Sequence, residues 1–197
     1  MKVSSVEQMR EMDRRAAENL GISEEILMEN AGEASYQVLS REFGVAGRRY
    51  VIFCGIGTYG GDGLVVARHI LSGGGAPRVL LVGDPNRFRG AAKTNWEIVE
   101  RLPIEVKRIK EIAAVRSSVI HSDGIVDALF GTGLDRAVSG IYEQVIELIN
   151  MSGKPVLSLD IPSGVNGDTA EVMGTAVRAD HTVTFGLPKI GNMLYPG

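Results

Sequence analysis

Tyr50-Val51-Ile52-Phe53-Cys54-Gly55-Ile56-Gly57-Thr58-Tyr59-Gly60-Gly61-Asp62-Gly63-Leu64-Val65-Val66-Ala67-Arg68-His69 is the stretch that decides the fold. A short β-branched and aromatic run ends in glycines, and an apolar helical pattern follows at once. A run apolar at every position suits a strand buried on both faces, the situation of a central strand in a parallel sheet. Gly55, Gly57 and Gly60 have G-x-G-x-x-G spacing between a strand and a helix. Glycines there let backbone N–H groups approach an anion at the helix N-terminus, where the partial positive charge favours phosphate. The bland alternative is a tight strand-to-helix turn with no ligand. Asp62 argues against a plain phosphate cradle, because a carboxylate repels a pyrophosphate; it could cap the helix, bind a ribose hydroxyl or help to hold a cation.

Outward from this unit the pattern keeps alternating. Before it, Ser4 and Glu7 have capping-box spacing and Val6, Met9, Met12 and Ala16 recur at helical intervals, which predicts a helix to about Asn19. Ser23-Glu24-Glu25 opens a second helix, whose apolar face of Leu27, Ala31, Ala34, Val38 and Leu39 runs to about Phe43. After the central strand the expected elements are a helix from Gly61 to Leu71, a strand Arg78 to Val82, a helix Ala91 to Arg101 and a strand near Val106. A strand Gly124 to Leu129, a helix Ile141 to Asn150, and strands Pro155 to Leu159 and His181 to Phe185 complete the series. Strands alternating with helices predict an α/β, Rossmann-like three-layer α/β/α sandwich with a mostly parallel sheet and two N-terminal helices.

The 197 residues suffice for one buried core and are too few for two ordinary domains of ~150 residues each, so residues 1–197 read as a single domain. A formal charge of −3 and 23% charged residues give no support to nucleic-acid binding. No apolar run approaches the ~20 residues of a membrane helix. The start, MKVSSVEQMREMDRR, has no apolar signal core and Cys54 has no second cysteine to pair with, so a reducing cytoplasm is the expected compartment.

In an open parallel sheet, ligands bind beyond the carboxyl ends of the strands. Two further loops there are conspicuous. Asp127-Ala128-Leu129-Phe130-Gly131-Thr132-Gly133-Leu134-Asp135-Arg136 places an acid at the end of an apolar strand and a second glycine turn after it. Leu159-Asp160-Ile161-Pro162-Ser163-Gly164-Val165-Asn166 repeats the arrangement with a rigid turn. A single strand-terminal aspartate commonly caps the next turn. Three on one rim predict more: Asp62, Asp127 and Asp160 converging on a cleft suited to a nucleotide-like ligand plus a metal ion or a general acid/base.

Other residues carry weaker signals. His69, His121 and His181 lack ligand spacing and read as structural or surface groups. Cys54 and Trp96 read as packing residues, and Lys189 could reach a phosphate or be solvated. There is no G-x-x-x-x-G-K-[ST] and no G-x-S-x-G.

Five ordered stretches resemble one family: Leu27-Met28-Glu29-Asn30-Ala31-Gly32, Gly55 to His69, Asp127 to Leu134, Asp160 to Asn166, and Val183 to Gly197. The chain resembles the NAD(P)H-hydrate epimerases, or YjeF N-terminal domains, which have a Rossmann-like fold, are commonly dimeric, and interconvert the R and S epimers of the hydrated cofactors NADHX and NADPHX. The resemblance implies that Thr58, Tyr59, Gly60, Gly61 and Asp62 contact this substrate, as do Gly131, Thr132, Gly133, Leu134, Asp135, Arg136 and Ala137. It implies Asp160 as substrate contact and acid/base, and Asp127 and Ser163 as ligands of a potassium ion, a hard cation that suits oxygen ligands. The family's first loop reads G-x-G-N-N-G-G-D-G, and here Thr58 and Tyr59 replace both asparagines; Tyr59 stands where the family has a potassium ligand and brings a bulky ring to the cleft. The family domain also continues beyond Tyr195-Pro196-Gly197, and many microbial members carry a fused ADP/ATP-dependent dehydratase, so the expectation includes a piece of a bifunctional chain or a separate dehydratase partner. Two rivals remain at this level. A non-catalytic nucleotide-, RNA- or partner-binding scaffold of the same fold would explain Thr58 and Tyr59 but not the acidic rim. An NAD-dependent dehydrogenase would require a placed acid/base such as a histidine.

Overall fold

In the computed structural model, which describes residues 2–195, β1 (Arg49–Cys54) lies at the middle of a six-stranded sheet. It pairs in parallel with β2 (Ala76–Leu81) on one side and β4 (Gly124–Ala128) on the other. β3 (Glu105–Arg108), β5 (Val156–Leu159) and β6 (His181–Val183) extend the sheet, all in parallel, to the order β3-β2-β1-β4-β5-β6. The chain reverses its direction of travel across the sheet between β1 and β4, and that switch point leaves a crevice at the strands' carboxyl ends.

Both faces of the sheet are covered, which is why the strands are apolar at successive positions. Along β1, Tyr50, Ile52 and Cys54 join one core and Val51 and Phe53 the other, as the two-residue alternation of a strand requires. The first core is closed by α2 (Glu24–Phe43), α3 (Thr58–Ser72) and α4 (Gly90–Val99), through Leu39, Leu64, Ile70 and Val99. The second is closed by α5 (Ala113–Ile120) and α6 (Ile141–Asn150), through Val115, Val119, Val145 and Ile149. The result is the expected three-layer α/β/α sandwich. Among the described residues no helix is long and apolar enough to cross a membrane.

Several boundaries differ from the sequence reading for identifiable reasons. α1 (Val6–Leu20) is capped by Ser5, not Ser4: the Gln8 N–H donates to Ser5 Oγ at 3.1 Å and the Ser5 N–H to Gln8 Oε1 at 2.9 Å. Ser4 is unavailable because its backbone bridges the C-terminal segment, donating to the Pro188 carbonyl and accepting from the Ile190 N–H. α3 begins at Thr58, three residues early, since Gly57 serves as its N-cap. β6 ends at Val183, because the Phe185 N–H turns away to Asp160. α5 escaped the sequence reading: its first turn has no side-chain cap and its residues, AAVRSSVI, are weak in helical signals, so burial of Val115 and Val119 is what holds it.

Candidate active site

Beyond the carboxyl ends of the strands, over the start of α3, lies a cavity of about 760 Å³. α3 gives it Thr58, Tyr59 and Asp62, the turn after β5 gives Asp160, and the C-terminal segment gives Lys189. α1 lies along its mouth and contributes Met9, Arg10 and Asp13.

The glycines of the first loop do something other than bare a phosphate cradle. A side chain at Gly60 would run into the Gly55 carbonyl, and one at Gly63 would meet Ala128 Cβ at 2.6 Å and Cys54 Sγ at 2.8 Å. These glycines let α3 start hard against the sheet, which brings Tyr59 and Asp62 over the strand ends. Gly57 alone of the three spaced glycines has open space around it.

Asp160 is the best-anchored group on the wall. Its backbone has φ of 66°, a left-handed conformation that a non-glycine residue adopts only where its surroundings enforce it. Here the Asp160 N–H donates to the Val183 carbonyl at 2.7 Å, and Asn192 Nδ2 donates to the Asp160 carbonyl at 3.0 Å. The carboxylate is held asymmetrically. Oδ1 accepts from the Phe185 N–H at 2.9 Å, from Thr184 Oγ1 at 3.3 Å and from the ammonium of Lys189, while Oδ2 accepts only from the Tyr59 hydroxyl, at 2.9 Å. Lys189 is 1% exposed and also donates to the Phe185 carbonyl at 2.8 Å. Neither reading of it as a solvated group or a reach toward phosphate survives: it is a buried counter-ion for Asp160.

Tyr59 ties three segments together. Its ring covers Gly131, where any side chain would collide with it, and its hydroxyl meets Thr132 Oγ1 at 2.8 Å and the Thr132 N–H at 3.3 Å as well as Asp160. Burial, with Asp160 beside it, holds the phenol well above its usual range. Asp62 is 4% exposed, and burial, reinforced by the neighbouring charges of Asp160 and Asp13, pushes its carboxyl well above the usual carboxylate range. Asp13 is raised too, mainly by burial, with Lys189 opposing.

Asp127 does not line this cavity, so the expected convergence of three acids is a convergence of Asp62 and Asp160 with Asp13. Asp127 is fully buried beneath, at the β4–β5 pairing opposite Ser158, and accepts from Ser158 Oγ at 2.8 Å, from the Ser163 N–H at 2.9 Å, from Ser163 Oγ at 2.6 Å and from the Leu129 N–H at 3.3 Å. Burial raises its carboxyl, and the two contacts from Ser163 are the main opposition. Ser163 Oγ is also 3.1 Å from the Phe130 carbonyl, so carboxylate, hydroxyl and carbonyl oxygens gather at one point. That donor set suits a hard cation in kind; Tyr59, pointing to Asp160, is not part of it. Of the 131–137 loop, Gly131 is buried under Tyr59, Thr132 is tied to it, and Gly133, Asp135, Arg136 and Ala137 are exposed, with Leu134 packed on the second core.

Asp13 is a residue of the wall that the sequence reading does not include, and Lys189 is one whose partner it does not supply. Asp13 lies four residues after Met9 on α1, so helical spacing alone would have put it on the same face. Lys189 carries no such sign. The remaining candidates behave as packing groups: His69 meets Glu29 at 2.9 Å, Cys54 is buried, and Trp96 stacks on Phe88 at 5.7 Å.

Strand order and cavity together define a Rossmann-like α/β domain whose strand-end cavity is lined both by carboxyls, among them Asp13, Asp62 and Asp160, and by the cationic Arg10, Arg14, Arg89 and Lys189. The family described as YjeF-related protein N-terminus matches residues 24–191, and the chain belongs to that family. It is 50% identical over its whole length to the bifunctional NAD(P)H-hydrate repair enzyme Nnr of Thermofilum pendens, of which it spans 38%. It is 37% identical to the NAD(P)H-hydrate epimerase of Limosilactobacillus reuteri, covering 96% of this chain and 87% of that one. The crystal structure of yeast ynu0, YNL200c, superposes with a TM-score of 0.88 at 24% identity over 98% of this chain and 84% of that one, a likeness of fold. The chain thus spans well under half the length of the curated bifunctional relatives it matches.

Proposed function

We propose that the chain is an NAD(P)H-hydrate epimerase, an isomerase that interconverts the R and S epimers of NADHX and NADPHX, with Asp160 moving the proton. The observation that carries the reading is the asymmetric grip on Asp160, a residue of the cavity wall: Oδ1 takes three donors, whereas Oδ2 takes only the Tyr59 phenol. A carboxylate held in this way has one oxygen fixed by a cation and two further donors and the other left with one neutral partner, the oxygen that would exchange a proton with the substrate. In the proposed reaction the hydroxylated ring carbon loses water, the ring nitrogen's lone pair forms an iminium-like cation, and water returns to the other face. The Asp160 carboxylate on the cavity wall would stand beside the place where that positive charge develops, which is where a fixed negative group lowers a barrier. Thr58, Tyr59, Gly60, Gly61 and the 131–137 loop would hold the rest of the substrate.

A potassium ion would be held by Asp127, Ser163 and the Phe130 carbonyl, where it would supply a fixed positive charge beneath the cavity floor. The same reading carries a homodimer, a cytoplasmic setting, and a dehydratase, fused or separate, that consumes one epimer. Neither a scaffold nor a dehydrogenase explains a buried ammonium placed to orient one carboxylate. Asp160→Asn should abolish epimerisation above the uncatalysed rate while NADPH still binds; undiminished turnover in that variant would sink the assignment.

A further inference from the structure

One carboxyl on the cavity wall has no partner in the chemistry described so far. Asp62 stands near the start of α3, 4% exposed and facing the cavity. It caps nothing, since the α3 N-cap has no side-chain hydrogen bond, and among the described residues no donor reaches its oxygens. The titratable groups facing it are Asp13 from α1, Asp160 from the turn after β5 and Cys54 from β1. A carboxyl almost wholly buried, without protein donors and beside other acids, favours its protonated form, whereas Asp160 has an ammonium and a backbone N–H on one oxygen. Two carboxyls on one cavity wall, one without a donor and the other gripped by a cation, have surroundings different enough to take different parts in a proton transfer.

The reaction itself requires two such groups. Inversion at one ring carbon makes the departing oxygen and the arriving oxygen lie on opposite faces of a planar cation. Asp160 cannot swing from one face to the other, because three donors fix its Oδ1 and Tyr59 holds its Oδ2. We propose that Asp62 is a second acid/base group of this reaction, serving one face of the hydrated ring while Asp160 serves the other; the inference rests on the epimerase reading. In one direction the Asp62 proton passes to the hydroxyl oxygen, the C–O bond breaks, water leaves, and the ring nitrogen's lone pair forms the C=N bond. Water then adds to the carbon from the opposite face, the C=N electrons return to nitrogen, and the proton released by the new hydroxyl goes to Asp160. Nothing is oxidised or reduced. Asp62 ends anionic and Asp160 neutral, ready for the reverse direction, and one proton exchanged through water resets the pair.

The test uses wild type, Asp62→Asn and Asp62→Ala, assayed with each purified epimer of NADPHX, with NADPH binding measured separately. Asp62→Asn keeps the shape and loses the proton donor, so kcat should fall by about 100-fold in both directions while KM and NADPH affinity stay within about threefold. In Asp62→Ala, added formate should restore kcat in proportion to its concentration, a response that a merely structural aspartate would not give. Retention of most of the wild-type kcat in Asp62→Asn, a loss confined to KM, or a loss of kcat that formate does not relieve would each overturn the proposal while leaving the epimerase reading standing. A wild-type protein that does not epimerise would overturn both.

Discussion

Replacing Lys189 by methionine removes the ammonium from Asp160 and keeps most of the side chain's length. Both partners are out of water, at 1% and 2% side-chain exposure, so solvent does not screen the pair as it does at the surface. Removing one partner of a buried pair costs about 3–5 kcal/mol, because the other charge is left uncompensated. Asp160 Oδ1 keeps the Phe185 N–H at 2.9 Å and Thr184 Oγ1 at 3.3 Å, which places the loss toward the lower end. For a domain of this size, about 3 kcal/mol corresponds to a fall in Tm of about 6–12 °C. Lys189→Met combined with Asp160→Asn should recover much of this, since no lone charge remains, and the double-mutant cycle should show a coupling of about 2 kcal/mol. The assay is thermal unfolding followed by circular dichroism, with urea titration for the free energies. Additive effects of the two substitutions, or a Lys189→Met loss below about 1 kcal/mol, would refute the reading of Lys189 as the buried counter-ion and match what is typical of exposed pairs.

Two further outcomes follow from buried titratable groups. Because burial holds the folded-state value of Asp62 above that of the unfolded chain, the folded protein keeps the proton longer; the stability this gives is present below the unfolded value and is lost as pH rises through the folded one. Asp62→Asn should therefore match wild type in Tm near pH 4 and exceed it increasingly toward pH 8, and a difference that shrinks with pH would contradict the assigned environment. Cys54 is fully buried, and burial with Asp62 and Asp127 nearby holds its thiol well above the usual range, so a thiol reagent at pH 8 should label it only after unfolding; prompt labelling of the native protein would show the strand end to be open.

The layered fold is legible because its strands are apolar at consecutive positions. Tyr50 to Cys54 must be covered twice, and that demand alone calls for helices on both faces of a parallel sheet. α5 is silent because it has no cap and few strong helix formers, so only its contact with the second core explains it. For the site, Asp62, Asp127 and Asp160 are visible as acids beyond strand ends, but which way each points is decided by the sheet. Asp127 lies opposite Ser158 in the β4–β5 register and is drawn into the structure, while Asp160 is turned into the cavity by its left-handed backbone. Lys189 illustrates the limit of local reading. Its burial depends on Ser4 bridging the segment it sits in and on Asp160 29 residues earlier, and neither contact leaves a periodic mark.

The most direct test mixes the purified R epimer of NADPHX with the protein, in potassium and in sodium buffers, and follows the S epimer by chromatography after subtraction of the uncatalysed rate. The account requires the wild-type protein to accelerate interconversion, with a larger rate in potassium, and Asp160→Asn to match the blank. No acceleration by a folded wild-type sample in either buffer would contradict the epimerase reading.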